Sequence, residues 1–208
     1  MPEPDELYIV GLNIEKHTAY TACRNNALIR AAQGVYYRQG ADFETLWNTY
    51  GIRIANYFFP RAALTHSTAY YMRPRLGRIF VGGDYPYRKA VAQHVGDYLI
   101  VQSLIRLDLS DSRMFEPIKL EDPLGEYEIY RTTPEMTLLN LMEATKANKE
   151  KHLPDQDMHR LIETVISKHG GSRTAALDTL AEIAKKAGKE NEFKRLEQTW
   201  FCEASLTL

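Results

Sequence analysis

Lys16, His17, Tyr20, Thr21 and Arg24 recur three and four residues apart, the spacing that lays side chains along one stripe of a helix. The stripe carries cations, hydroxyls and an imidazole, with no activated nucleophile among them. That chemistry holds a polyanion rather than breaking a bond. Asn25 ends it with an amide that matches the adenine edge. Arg30, Gln33 and Arg38 follow on two short runs, Ala27–Arg30 and Gly34–Arg38, joined by a turn at Gly34. Arg61, Arg73, Arg75, Arg78 and Arg88 extend the series. Arginine presents a planar fork to phosphate, which lysine does not. Between Lys16 and Lys89 there are 11 Lys/Arg against 3 Asp/Glu; from Ala90 onward there are 15 against 20. The asymmetry points to an anion-binding front and a solvated rear. The alternative is a surface whose arginines pair with acids elsewhere.

Other chemistries find less support. Two cysteines, Cys23 and Cys202, make neither a disulfide framework nor a four-ligand zinc site. Cys23 reads as a small core residue. His152, His159 and His169 read as solvated or capping histidines rather than metal ligands. His66 beside Ser67 invites a nucleophile–base reading, but adjacent residues at a helix start rarely have that geometry, so His66 is expected to hold a turn or touch a phosphate. Nucleophile-elbow, phosphate-loop and metalloprotease motifs are missing. No catalytic residue, cofactor or metal is expected. Tyr36, Tyr37, Tyr70, Tyr71, Tyr85 and Tyr87 sit beside arginines, as for stacking on single-stranded bases; half-buried strand residues with wet hydroxyls are the preferred reading.

The elements that must position these residues follow from periodicity. Asn13 is a plausible N-cap for a helix over Ile14–Asn25 with Ala19, Ala22 and Cys23 inward. The two short runs after it make strand, turn, strand. Helices are expected at Glu44–Tyr57, with Leu46, Trp47, Tyr50, Ile54 and Tyr57 in phase and Pro60 as the stop, and at Arg61–Met72. Strands then follow at Arg78–Gly82, Tyr87–Gln93, Tyr98–Leu104, Met114–Leu120 and Tyr127–Arg131, separated by turn signals. Short connections favour largely antiparallel pairing. Thr132 and Glu135 have capping-box spacing, with Pro134 in the first turn. Lys146–His152 is a charged linker. Amphipathic helices close the chain, one ended by Gly170–Gly171, the next capped by Ser172 and ended by Gly188, and a third carrying Phe193, Leu196 and Trp200.

Three runs in order resemble AbiEi-type antitoxins. Asn25–Arg38 (NNALIRAAQGVYYR) is similar to the end of that family's winged helix. Leu64–Tyr71 (LTHSTAYY) resembles its Leu-Ser-His-x-Ser-Ala helix start, with Thr65 and Thr68 for the serines. Arg131–Glu143 (RTTPEMTLLNLME) resembles its Pro-Glu-Arg-Thr-Leu-x-Asp signature, with Met136 for the arginine and Asn140 for the aspartate. The resemblance implies a winged helix that binds operator DNA and represses its own operon. It also implies a second domain that counters a toxin, a nucleotidyltransferase in that family.

The expectation is therefore an α+β protein: an abbreviated winged-helix module over residues 1–39, then a domain over 40–208 with a mainly antiparallel sheet and a C-terminal helical layer. Its partners would be double-stranded operator DNA and a cognate toxin. No apolar run is long enough for a membrane span and the N-terminus lacks a secretory pattern, so a cytoplasmic setting is expected. Two alternatives remain: the regulatory front of a larger toxin or enzyme, and an RNA- or nucleotide-binding enzyme with unrecognised chemistry. The ending WFCEASLTL reads as a flexible tail or as a cut through a longer chain.

Overall fold

Leu7 and Ile9 are buried on either side of the half-buried Tyr8, the period-two pattern of a strand with two different faces. The computed structural model describes residues 6–83, 91–104, 108–144 and 149–202. β1 (Leu7–Ile9) pairs antiparallel with β3 (Val35–Arg38), which pairs antiparallel with β2 (Leu28–Ala32). Helix α1 (Lys16–Arg24) covers one face of this small sheet through Ala19, Leu28 and Tyr36. The other face, Leu7, Ile9 and Val35, packs with α2 (Phe43–Phe58) in a larger apolar core.

Asn13 does not cap α1. Its Oδ1 accepts from the Ile9 amide at 2.7 Å and its Nδ2 donates to the Leu7 carbonyl at 2.7 Å, so it ties the loop to β1. The helix starts later, with Glu15 at the N-cap. Asp42 caps α2, accepting from Glu44 N at 3.1 Å and Thr45 Oγ1 at 2.6 Å. The Thr45 hydroxyl and the Glu44 amide hold its carboxyl below the usual range. Gly51 lets α2 lie close to the sheet. A Cβ there would fall 2.7 Å from Pro74 Cγ and 2.9 Å from Ile79 Cδ1.

The larger sheet contains β4 (Ala62–Leu64), β5 (Arg78–Gly83), β6 (Val91–Val95), β7 (Tyr98–Leu104), β8 (Phe115–Asp122) and β9 (Gly125–Thr132), in the order β6-β7-β5-β4-β9-β8. It is a mixed sheet. β6–β7, β4–β5 and β8–β9 are antiparallel, whereas β5–β7 and β4–β9 are parallel. Short connections do make the hairpins, but strands distant in sequence lie between them. β4 is buried throughout and alternates, with Ala63 in one core and Ala62 and Leu64 in the other.

One face carries α2; the opposite face carries α4 (Pro134–Leu141), α5 (Asp155–Lys168), α6 (Arg173–Ala187) and α7 (Glu190–Leu196). Of the helix expected over Arg61–Met72, only α3 (His66–Tyr71) forms, because Ala62–Leu64 is the strand that joins β5 to β9. The cap of α4 is Thr133, whose hydroxyl accepts from Met136 N at 3.3 Å, because Thr132 still belongs to β9. Glu135 instead meets Lys168 and His169 at 2.9 and 3.1 Å. Ser172 and Gly188 bound α6 as their residue types suggest: Ser172 Oγ accepts from Ala175 N at 3.2 Å, and Gly188 takes φ +66°. The chain is thus α+β, with seven α-helices among the described residues.

Candidate nucleic-acid interface

Helix α1 is nine residues long, about 13 Å at the usual helical rise. Ala19 is fully buried, Ala22 and Cys23 are half-buried, and the opposite face is open. Lys16, His17, Tyr20, Thr21 and Arg24 are all exposed there, and Asn25, at the C-cap, is exposed as well. Tyr20 leaves 59% of its surface to solvent, a large aromatic exposure for a side chain with no core to fill.

The β2–β3 hairpin brings the second group. Leu28 and Arg30 alternate onto the face that α1 covers, and the register shifts between Arg30 and Ala32, a bulge that bends the strand. Arg30 Nε donates to the Ala32 carbonyl at 3.3 Å, and the side chain is exposed. Gly34 closes the turn with φ +80°. A Cβ there would meet the Tyr57 hydroxyl at 2.1 Å, so the turn rests directly on α2.

Together these elements enclose a cleft of about 690 Å³, lined by Lys16, His17 and Tyr20 of α1, Arg30, Gln33 and Tyr36 of the hairpin, and Val10, Gly34 and Tyr57. A smaller adjoining cleft of about 230 Å³ lies among Tyr20, Cys23, Arg24, Arg30 and Tyr36. Five expected site residues (Lys16, His17, Tyr20, Arg30 and Gln33) therefore line the larger cleft, and a sixth, Arg24, lines the smaller one. Arg30 lies in both clefts. Thr21 on α1 and Asn25 at its C-cap are exposed but line neither cleft, and Arg38 is exposed at the end of β3.

The later arginines lie elsewhere. Arg61 is exposed just before β4. Arg73 and Arg75 both approach the Tyr71 ring, at 6.0 and 4.6 Å. Arg75 also donates to the Tyr71 hydroxyl, which in turn donates to Asp157 of α5. Arg78 lies 3.8 Å from Glu150. Arg75 is thus linked through Tyr71 to α5, and Arg78 lies beside Glu150. Arg88, Tyr85 and Tyr87 lie outside the described residues. Tyr57, expected to point inward with the rest of α2, is instead 39% exposed at the cleft. Its periodicity placed it on a helix but could not show that the small sheet would leave that edge of α2 uncovered.

A second polar cluster is internal. His66 is fully buried; its Nδ1 lies 2.9 Å from Thr65 Oγ1 and its Nε2 3.1 Å from Glu143 Oε2. Burial pushes its pKa down to about 4, against the pull of Glu143. The neutral ring therefore donates from Nε2 to the carboxylate and accepts the Thr65 hydroxyl at Nδ1. Burial works against the Glu143 carboxylate, but the hydrogen bond from His66 and the ammonium of Lys189 outweigh it and hold its pKa below the usual range. Lys151 and Lys189 complete the cluster at 3.3 and 2.9 Å from Glu143. Ser67 takes no part, since its hydroxyl donates to the Glu150 carbonyl at 2.6 Å.

Of the histidines on the C-terminal helices and the segment before them, His152 Nδ1 lies 3.0 Å from the Leu141 carbonyl, and His159 meets Trp200 edge to face at 5.0 Å. Among the described residues no cluster of His, Cys, Asp and Glu could hold a metal ion, and no helix is long and apolar enough to cross a membrane. No family model and no curated protein matches the chain.

Proposed function

We infer that this chain is an antitoxin-like transcriptional regulator that binds operator DNA through α1 and the β2–β3 hairpin. In this reading it acts in the cytoplasm, has no catalysis of its own, and counters a partner toxin of the nucleotidyltransferase type. The toxin half of the reading rests on the three runs that resemble AbiEi-type antitoxins. The observation that carries the DNA half is the meeting of Lys16, His17, Tyr20, Arg24, Arg30 and Gln33 around one exposed face. The winged-helix reading assigns α1 to the major groove, which is about 12 Å wide, and the hairpin to the neighbouring backbone or minor groove. On this reading the cations fix register on the phosphates, and Arg24 and Asn25, at the C-terminal end of α1, read base edges.

The experiment is a binding titration of the chain's own promoter duplex with wild type and Arg24→Ala. Loss of about 1–3 kcal/mol on the promoter alone assigns Arg24 to a base. Equal loss on all sequences assigns it to phosphate. Absence of duplex binding at low salt ends the proposal.

A further inference from the structure

The face assigned to DNA has a feature that duplex binding does not use. A duplex is convex, and its phosphates run along its rim, so a flat or projecting basic surface suffices to hold it. Here the basic residues surround a concavity of about 690 Å³, within the range of roughly 300–1,000 Å³ typical of small-molecule sites. Its walls are aromatic. Tyr20 stands on α1, Tyr36 on β3 and Tyr57 on α2, with Val10 and the bare backbone of Gly34 between them. Lys16, His17, Arg30 and Gln33 supply the polar groups, and among the described residues no carboxylate lines the cleft. Among the described residues neither Lys16 nor Arg30 is paired with an acid.

We propose that this cleft is a nucleotide site that takes one planar base against Tyr20 and Tyr57 and its phosphate on Lys16 and Arg30. The inference rests on the same face as the regulator reading and names a ligand class for its concave part. Aromatic rings stack on any base because every base has a π face, and stacking adds to the cationic attraction for the phosphate. Gln33 offers both a donor and an acceptor, which suits a base edge. The wall is also held in place before any ligand arrives. The Tyr57 hydroxyl sits where a side chain on residue 34 would be, so the hairpin turn is seated against α2. The nucleotide can come from solution or from an unpaired position in a strand; both present the same base and phosphate.

The test is calorimetric titration of the full chain, without duplex, with 5′-AMP, 5′-GMP, 5′-CMP and 5′-UMP. Adenosine and ribose 5-phosphate serve as half-ligands, and an eight-nucleotide single strand as the polymeric source. At least one nucleotide is expected to bind at least tenfold more tightly than either half-ligand. Tyr20→Ala and Arg30→Ala should each weaken it at least tenfold with unchanged melting temperature, since both side chains are exposed. An oligonucleotide that binds at least tenfold better than the mononucleotide identifies a strand as the source; parity identifies free nucleotide. Absence of binding at millimolar nucleotide, or binding indifferent to both substitutions, overturns the inference. Promoter titration of the same samples separates the two readings, because duplex binding that survives such a failure leaves the regulator proposal standing.

Discussion

His66 shows how a residue that resembles a catalytic group can serve the fold. It begins α3 with φ +51°, is sealed from solvent, and uses both ring nitrogens internally. A histidine whose folded pKa lies below its ordinary 6.5 favours the fold while neutral. Its contribution is complete above pH 6.5 and is lost as pH falls from there toward 4. The shift is worth at most about 3 kcal/mol. Glu143, held low in the fold, adds a second loss only below the ordinary carboxylate range. Stability measured by urea unfolding should therefore decline between pH 6.5 and 4 in wild type. In His66→Asn, which tolerates the left-handed backbone, the curve should be flat in that window and fall only below it. The same slope in both proteins would show that the ring titrates as if in water. The chemistry of His66 was legible only as structural against catalytic; its partner Glu143, 77 residues away, was not, because no local spacing encodes a contact of that range.

At the scale of elements, α2 is the part that joins the candidate interface to the body. Its buried side holds Leu46, Trp47, Tyr50 and Ile54, and Arg53 reaches the β8–β9 turn. Arg53 Nε donates to Asp122 at 2.6 Å, with both side chains nearly buried, and the guanidinium lies 4.1 Å over the Tyr127 ring. Removing the acid leaves a buried cation, a loss of about 3 kcal/mol, near the low end of such cases because Gly125 O and Tyr127 remain as partners. In Asp122→Ala the melting temperature should fall by about 6–12 °C; a shift under about 2 °C would show the pair to be effectively solvated. Most elements were readable from period and punctuation: α2, α6 with Ser172 and Gly188, and the hairpins of the large sheet. The misreadings share a cause. Arg61–Met72 reads as helical because its alanines favour helix, but tertiary pairing places Ala62–Leu64 between β5 and β9. The surroundings of Arg75 and Arg78 were hidden for the same reason: Arg75 shares the Tyr71 hydroxyl with Asp157 of α5, and Arg78 lies beside Glu150, long-range contacts that no local spacing encodes.

Across the whole molecule, the small sheet and α1 are continuous with the rest of the core. Leu7, Ile9 and Val35 pack with α2, Gly96 N donates to the Ala31 carbonyl at 2.9 Å, and Tyr37, Phe43, Tyr98 and Trp47 form a chain of ring contacts between the two sheets. Deleting the first 38 residues would therefore open a core, and the interface is better tested by substitutions on its exposed face. The rest of the sequence carries an acidic excess, so on the proposed reading a polyanion would be drawn to the basic front. Counterion release turns that into a measurable slope: each phosphate neutralised by Lys16, Arg24 or Arg30 contributes about −0.9 to the dependence of log affinity on log salt. The most direct measurement is fluorescence anisotropy of the promoter duplex and of a scrambled duplex across a salt series, with wild type and the Lys16/Arg24/Arg30→Ala variant. The account predicts tighter binding of the promoter, a slope of about −3 or steeper in wild type, and a slope shallower by about one unit for each lost phosphate contact in the variant. Equal, salt-indifferent binding of both duplexes by both proteins, or no binding at low salt, would contradict it.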